Sequence, residues 1–333
     1  MNCDEAISSY KRTIEEVRNF GVLGSTESAI KIVRAVAHVF SNCRRQQVVT
    51  VLEQLIRLAL EARPTSQAVR NLMQMFFEKL SQRVSTPSPA DIDVDYLVRE
   101  VEKHVVSARE TASELASRRI EDGDVVLTHS YSTTVLNSLT KASDRGLELS
   151  VYVTESRPGG EGRLTASYLG KRGIRTLLVV DSAVRYVMKD VDKVFVSAEA
   201  IAANGAVVNK VGTSAIALAA REARVRVYVV SGLYKFGSET IFGDLITIEE
   251  VERPEFVVPS ERISEVTPYL GRNLYVKTPL YDVTPPEYID AIVTERGLIA
   301  PQIAIYLARE LVGWPKTQKT LESTLSELMS LWR

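Results

Sequence analysis

The chain changes its hydrophobic period once, near residue 120, and this change constrains the fold more than any other feature. Up to about residue 118, apolar residues recur every three to four positions, as on the buried face of an α-helix. From Gly123 onward, helix-length segments alternate with short β-branched runs at 124–128, 149–154, 175–180, 193–197, 226–231 and 289–293. Such alternation is typical of a parallel sheet with crossover helices. We therefore predict an α/β protein, with a helical N-terminal domain followed by a doubly wound, mostly parallel sheet domain.

The predicted boundaries follow from turn and capping residues. Ser88 suits an N-cap and Pro89 the first position of a helix that runs to about Arg118. The predicted units are a helical domain at 1–118, an α/β domain at 119–316 and an amphipathic helix at 317–333. One face of that last helix carries four large apolar residues, namely Leu321, Leu325, Leu328 and Trp332. We expect this face to pack on the protein's own surface, with a subunit contact as the alternative.

Composition excludes several classes of protein. The formal charge of the 333 residues is −1, so no global basic field indicates a direct nucleic-acid partner. No run of about 18 apolar residues could span a membrane, and the acidic N-terminus lacks the apolar segment of a signal peptide. The only cysteines, Cys3 and Cys43, fit a reducing compartment and predict no disulfide framework. The three histidines lack zinc-site spacing. We predict a cytoplasmic protein without metal or cofactor.

Polar residues stand where five of the predicted strands end. In open α/β sheets, ligands bind in the crevice outside the carboxyl ends of the strands. A ligand crevice is therefore predicted from the polar groups at Thr128-His129-Ser130, Thr154 to Arg157, Asp181-Ser182, Ser197 to Glu199 and Tyr234-Lys235.

Two loops are candidates for anion binding. In the segment 204–213, Gly212 allows a close turn and Thr213 can begin a helix, whose free N–H groups lie beside Lys210. An ordinary capped loop is the alternative interpretation of this segment. The second loop, 157–163, combines three glycines with Arg157, which suits bidentate phosphate contact. Neither loop has the Walker A ending, and the chain lacks a dinucleotide glycine fingerprint.

Four segments of the α/β half resemble one known family, that of the alpha, beta and delta subunits of translation initiation factor 2B. They are 119–129, 153–158 and 204–213, followed by Asp282 to Asp290 with Thr294-Glu295-Arg296-Gly297. Arg63-Pro64-Thr65 extends the similarity into the N-terminal half. The resemblance implies a Rossmann-like domain and a homodimer or higher homo-oligomer. The family also contains aldose–ketose isomerases acting on ribose 1,5-bisphosphate or methylthioribose 1-phosphate, and ribose-1,5-bisphosphate isomerase is the more similar branch.

The isomerases' catalytic pair is replaced in this chain. The resemblance places a cysteine at the position of Ser130 and an aspartate at the position of Glu199. An unactivated hydroxyl supplies almost no anion at neutral pH, and His129 points to the opposite side of an extended strand. Glutamate adds a methylene, which moves its carboxylate by roughly 1.5 Å, and misplacement of about 1 Å can lower a rate about 100-fold. We therefore expect no catalytic residue at these positions.

The phosphate-binding positions are better preserved. The resemblance implies ligand-binding roles for Arg63, Arg157, Asn209, Lys210 and Lys235, whereas Leu23 stands where an arginine is expected.

The leading functional prediction is a regulatory protein like initiation factor 2B that binds a sugar phosphate or nucleotide without catalysis. One alternative is a ribose-1,5-bisphosphate isomerase with Glu199 as the acid. The other is a structural assembly subunit. Initiation factor 2 subunits are a further candidate partner.

Overall fold

The computed structural model describes residues 2–84, 93–237, 240, 245–307 and 321–332. Helices α1 to α10 are Cys3–Arg18, Ser25–Asn42, Arg45–Ala62, Gln67–Val84, Val94–Ser117, Thr133–Asp144, Gly162–Lys171, Val184–Val187, Thr213–Ala223 and Leu321–Trp332. Strands β1 to β12 are Val125–Thr128, Ser150–Thr154, Arg175–Val179, Lys193–Val196, Ala200–Ile201, Val207–Lys210, Arg226–Val230, Glu250–Val251, Thr278–Pro279, Tyr281–Thr284, Ala291–Thr294 and Gly297–Ile299.

The N-terminal helices share one apolar core. Phe40, Phe76 and Phe77 form an aromatic cluster in it, and the ring centroids of Phe76 and Phe77 lie 5.3 Å apart in an edge-to-face arrangement. Helix α10 returns to this core, where Leu321, Leu325 and Leu328 are buried. The apolar face of the C-terminal helix therefore packs on the helical part of the same chain.

The main sheet lies in the second half of the chain. Within the described residues its strand order is β12-β11-β7-β4-β1-β2-β3, and only the β11–β12 pair is antiparallel. The strand order reverses at β1, which pairs with β2 on one side and with β4 on the other. The predicted α/β class with a mostly parallel sheet and a helical N-terminal region is confirmed.

Helices cover both faces of this sheet. Alternate residues of a strand face opposite sides, and Val126 packs in the layer with α5 and α6, whereas Leu127 packs in the layer with α8 and α9. A second, three-stranded antiparallel sheet has the order β10-β6-β5. It places β6 and its polar end beside the carboxyl edge of the main sheet.

Two sequence expectations concern the N-terminal half. The predicted start at Ser88-Pro89 lies outside the described residues, and α5 is described from Val94, where the Asp93 side chain accepts a hydrogen bond from the backbone N–H of Tyr96.

The second expectation, that the chain contains no disulfide, is wrong, because the sulfur atoms of Cys3 and Cys43 are 2.08 Å apart and bonded. These residues flank α1 and α2, which pack against each other. The disulfide forms because the packing of α1 on α2 brings the two cysteines together. Their separation of 40 positions in the sequence does not indicate this packing.

None of the helices in the described residues is long and apolar enough to cross a membrane.

Candidate functional site

A polar pocket opens where the carboxyl ends of the strands meet the N-terminal helices. It encloses about 680 Å³ of empty space, including the part open to solvent. Its charged lining residues are Glu27, Arg63, Glu161, Glu199, Lys210 and Lys235, and Ser130, Asn209 and Tyr281 contribute polar groups. The residues come from loops after β1, β2, β4 and β7, from β6 and β10, from the first turn of α2 and from the end of α3. A pocket therefore lies at the strand ends, where the sequence predicts a ligand crevice.

Arg63 lies at one side of this pocket and is 4% exposed. Its guanidinium donates to Glu199 Oε1 at 3.1 Å and to the Tyr281 hydroxyl at 2.5 Å. Glu249 Oε1 lies 3.8 Å from Nε, which has no hydrogen-bond acceptor among the described residues. The guanidinium also lies 5.2 Å from the centroid of the Phe20 ring. One buried cation thus serves two carboxylates and retains one unsatisfied donor.

The electrostatics of this cluster reflect its burial. Burial alone would lower the pKa of Arg63, but Tyr281, Glu199 and Glu249 outweigh it and raise that pKa above its ordinary value. Burial raises the pKa of Glu249, an effect that the Arg63 charge partly offsets. Burial also raises the pKa of Tyr281, which therefore stays a neutral hydroxyl.

Lys210 lies at the other side of the pocket. Its ammonium Nζ is 2.7 Å from Glu161 Oε1 and 5.4 Å from the centroid of the Tyr281 ring. The second carboxylate oxygen of Glu161, Oε2, is buried and has no hydrogen-bond partner among the described residues. A buried acceptor without a donor is costly, so this oxygen is a natural contact for a ligand group that carries a proton.

Glycines allow the loop before α7 to carry Glu161 in this position. A Cβ on Gly159 would lie 2.5 Å from Glu161 Oε1 and 2.8 Å from Oε2, so the carboxylate folds directly over the Gly159 backbone. A Cβ on Gly162 would lie 1.8 Å from the carbonyl oxygen of Thr154, which brings α7 against the end of β2. Both contacts require the absence of a side chain at these glycines.

The predicted anion site at the start of α9 is already occupied by the protein itself. Gly212 has φ +107°, as the tight turn requires. However, Asp282 accepts hydrogen bonds from the backbone N–H groups of Gly212 and Ser214, at 2.8 and 3.1 Å. Burial raises the pKa of Asp282 to about 6, although these hydrogen bonds act in the opposite direction. The ordinary capped helix, the alternative interpretation of this segment, describes these backbone groups better than a phosphate site does.

Asn209 and Lys235 have buried polar groups with partners inside the protein. The Asn209 side-chain amide donates to Thr213 Oγ1 at 3.0 Å. Lys235 is buried on a 3₁₀ turn after β7 and donates to the carbonyl oxygen of Ala198 at 2.8 Å. Burial lowers the pKa of Lys235, because desolvation disfavours its charged form. Asn71 of α4 holds this turn by donating to the carbonyl oxygens of Tyr234 and Phe236.

Ser130 and His129 face different surroundings, but not through the expected strand alternation, because β1 ends at Thr128 and Ser130 adopts a left-handed backbone conformation. Ser130 lines the pocket with φ +67°. The His129 ring nitrogens contact the Thr154 hydroxyl at 2.5 Å and the Val211 carbonyl oxygen at 2.9 Å. The carbonyl requires Nε2 to be the donor, and burial lowers the pKa of His129, so the ring is neutral. His129 therefore holds two loops together and makes no hydrogen bond to the Ser130 side chain.

Two further expectations need comment. Arg157 does not line the pocket, since Asp181 binds the backbone N–H groups of Ser156 and Arg157 while the guanidinium donates to the Phe256 carbonyl at 2.9 Å. Its predicted ligand-binding role stays a prediction. Leu23 does line the pocket, at the position where an arginine was expected.

Sequence reasoning missed four site residues. Glu161 belongs to the second candidate loop, but only its neighbour Arg157 was assigned a role. Glu27, Glu249 and Tyr281 lie in segments without a recognisable site motif, and they reach the pocket region through tertiary contacts. The sequence contains one signal for a missed residue: Glu161 stands between glycines, in a loop flexible enough to bring its carboxylate to a ligand.

Among the described residues, no group of three or more histidine, cysteine, aspartate or glutamate side chains could hold a metal ion.

Comparison with known proteins assigns the chain to a family. The Initiation factor 2 subunit family matches residues 21–301. The chain belongs to this family. A Pyrococcus horikoshii structure described as translation initiation factor eIF-2B has a TM-score of 0.73 at 24% identity, over 89% of this chain and 98% of that one. The 5-methylthioribose 1-phosphate isomerase of the same organism has a TM-score of 0.67 at 24% identity, over 91% and 88%. At these identities the two structures establish only the shared fold.

Relatives of higher identity carry an enzymatic name. The ribose 1,5-bisphosphate isomerase of Thermococcus kodakarensis is 36% identical over 312 residues, which cover 90% of this chain and 94% of the relative. The protein of the same name from Archaeoglobus fulgidus is 37% identical over 304 residues, covering 90% and 92%. This family member thus matches enzymes over nearly their full length.

These relatives overturn the leading functional prediction. A regulatory protein without catalysis is the wrong conclusion, and the isomerase alternative is better supported. That prediction rested on the replacement of the isomerases' cysteine and aspartate by Ser130 and Glu199. The pocket of this family member contains carboxylates that the sequence comparison did not consider.

Proposed function

We propose that the chain is an aldose–ketose isomerase acting on a ribose 1-phosphate derivative, with ribose 1,5-bisphosphate as the first substrate to test. The observation that carries this proposal is the charge arrangement of the pocket, where buried cations and carboxylates line one space at the carboxyl ends of the strands. The cations suit a phosphorylated ligand, and the carboxylates suit proton transfer on its sugar. The names of the relatives support the same reaction.

The pocket contains both donors for the phosphate groups of a sugar phosphate and an acceptor for its sugar. Arg63 retains an unsatisfied donor at Nε, and the ammonium of Lys210 lines the pocket. Phosphate oxygens accept hydrogen bonds from such groups and carry no donor when fully ionised. Glu161 Oε2 is an unsatisfied acceptor, which matches a proton-bearing part of the sugar. The pocket therefore fits a ligand with both an anionic and a hydroxylated part.

The reaction requires proton transfer at oxygen and at carbon. Ring opening needs a proton on O4 as the C1–O4 bond breaks, and formation of the C2 ketone removes the proton from the C2 hydroxyl. Glu199 is our assignment for both oxygen-linked steps, because its carboxylate lies at the end of β4 beside Arg63.

Ser130 has a different role in this proposal. No hydrogen bond joins His129 to its hydroxyl, so the hydroxyl lacks an activating base. We assign Ser130 to hydrogen bonding with the sugar rather than to proton abstraction.

Formation of ribulose 1,5-bisphosphate from ribose 1,5-bisphosphate by the purified chain is the direct test. We expect turnover by the unaltered protein, and a loss of kcat of about 100-fold or more in Glu199→Gln, since general acid–base groups contribute about 100- to 10,000-fold. Glu222→Gln is the matched control, because Glu222 is 58% exposed at its side chain and pairs with Arg185 on the surface. Absence of turnover by the unaltered protein would refute the proposed activity. Full activity of Glu199→Gln would refute only the role of Glu199.

The Ser130→Cys/Glu199→Asp double variant separates the two positions from the rest of the site. It restores the residue types expected in the isomerases, and we expect it to turn over the substrate at least as fast as the unaltered chain. Loss of turnover in a variant that still folds would show that the pocket depends on the serine and glutamate.

We also propose a cytoplasmic homodimer, as the family resemblance implies. Exposed apolar side chains on the edge strand β3 and just after it, Leu178 and Val180, support a contact through the α/β part. A monomeric mass by light scattering at micromolar concentration would contradict the dimer.

A further inference from the structure

The carboxylates that line the pocket differ in how completely they are bonded. Glu27 Oε1 accepts from Arg109 at 2.9 Å and from the Thr133 hydroxyl at 3.3 Å. Glu199 Oε1 accepts from Arg63. Glu161 alone has a buried oxygen, Oε2, without any hydrogen-bond partner among the described residues. Glu161 and Glu199 thus each have one oxygen bonded to a cation, and Glu161 also has a buried oxygen that the described residues leave unsatisfied.

The isomerisation proposed above requires a hydrogen to move from C2 to C1, and no residue has yet been assigned to this transfer. Among the described residues, no hydrogen bond joins the Ser130 hydroxyl to His129, its neighbouring base. A carboxylate can perform this transfer by taking the proton from one carbon and returning it to the next. We propose that Glu161 is the general base that carries this proton, an assignment that rests on the proposed isomerase function.

The proposed step balances with the two glutamates alone. Glu199 in its acid form gives a proton to O4 as the C1–O4 bond breaks. Glu161 takes the proton of C2, and the electron pair of the C2–H bond forms the C1–C2 double bond. Glu161 then returns its proton to C1, while Glu199 accepts the proton of the C2 hydroxyl as the ketone forms. Both glutamates end in their starting forms, and the product carries its phosphate on a CH₂ group.

The pairing with Lys210 links substrate binding to this step. The Lys210 ammonium Nζ lies 2.7 Å from Glu161 Oε1. A substrate phosphate that binds the ammonium competes with this ion pair and releases the carboxylate. The terminal torsion of a glutamate is broad, so either oxygen can then turn toward the sugar.

Gly159 offers a second way to test the geometry without changing the chemistry of Glu161. A Cβ at this position would lie 2.5 to 2.8 Å from the carboxylate atoms, and the contact is with the end of a flexible side chain. Gly159→Ala therefore displaces the carboxylate and keeps its charge. Glu155→Gln is the matched control on the same loop, because Glu155 pairs with Arg163 and does not line the pocket.

The experiment measures kcat and KM on ribose 1,5-bisphosphate for the unaltered chain, Glu161→Gln, Gly159→Ala and Glu155→Gln, with circular dichroism melts to verify folding. We expect Glu161→Gln to lose about 100-fold or more in kcat, with an equal or lower KM because a neutral amide holds Lys210 less strongly than the carboxylate does and competes less with phosphate. Gly159→Ala should show a smaller loss, and Glu155→Gln should match the unaltered chain. Substrate deuterated at C2 should react more slowly with the unaltered chain, since the C2–H bond breaks in the proposed step.

The outcomes separate this proposal from the proposed function. Turnover by the unaltered chain together with full kcat in a folded Glu161→Gln overturns the base and leaves the isomerase standing. If Glu161→Gln does not fold, Gly159→Ala decides, and an unchanged kcat in that variant overturns the base. Absence of turnover by the unaltered chain overturns both proposals together.

Discussion

The two sides of the pocket, around Arg63 and around Lys210, use the same chemistry to different extents. Arg63 is held by Glu199, Tyr281 and Glu249. Lys210 has one charged partner, Glu161, which keeps a free oxygen. The Arg63 cluster joins the helical half to the α/β half, since Arg63 follows α3 and its partners lie in the second half. The comparison teaches that most of the Arg63 guanidinium is committed to partners within the fold and only Nε is left for a ligand, whereas at Lys210 a ligand has to displace a single ion pair.

Removal of Arg63 should produce the largest effect on stability. Arg63→Ala leaves Glu199 and Glu249 as buried carboxylates without their cation, so we expect the free energy of unfolding to fall by about 3–5 kcal/mol. Glu161→Gln should cost about 1 kcal/mol, because an amide oxygen can still accept from Lys210. Urea unfolding of the two variants measures the difference. Arg57→Ala is the control, since Arg57 is 70% exposed at its side chain. If the two variants lost equal amounts of unfolding free energy, the Arg63 side would contribute no more to stability than the Lys210 side, and the comparison would fail.

The two glycines of the loop before α7 should respond differently to alanine. Gly162→Ala sets a Cβ against the Thr154 carbonyl, which requires a backbone shift. We expect it to lower the free energy of unfolding by about 3 kcal/mol. Gly159→Ala moves only the Glu161 side chain and should cost about 0.5–1 kcal/mol. Denaturant unfolding checks both values, and a larger loss for Gly159→Ala would show that Glu161 is held more rigidly than its single ion pair indicates.

Asp282 gives the Lys210 side a predicted pH dependence. Its pKa is raised from 3.8 to about 6 in the folded chain, so the folded state binds a proton more tightly than the unfolded state. The associated stabilisation is complete below about pH 4 and is lost as the pH rises through about 6. Since the carboxyl keeps some contact with solvent, we expect a loss of about 2 kcal/mol.

The Asp282→Asn variant isolates this contribution. The difference in unfolding free energy between the unaltered chain and Asp282→Asn should shift against the unaltered chain from pH 4 to pH 7. Urea unfolding at several pH values measures it. A difference that is constant across this range would show that the hydrogen bonds from Gly212 and Ser214 cancel the effect of burial.

The assignment of individual ligand groups was only partly within reach of the sequence. The cations at strand ends were recognisable, and Asn209, Lys210 and Lys235 all line one pocket with Arg63. Arg157 does not, because Asp181 binds the backbone before it and turns the loop toward Phe256. The role of Ser130 stays a prediction, and Glu161, which we propose as the base, lies in a loop where only Arg157 was assigned a role.

The sequence by itself determined the succession of helices and strands and the position of the polar groups at strand ends. It could do so because periodicity and capping are local properties, set by residues within one or two turns of each other. Tertiary structure alone decided which charges became partners. Arg63 reaches Glu199 across 136 positions and Tyr281 across 218, and Asp282 caps α9 because β10 pairs with β6 opposite Asn209. Such contacts depend on strand register and helix packing, which no short stretch of residues specifies.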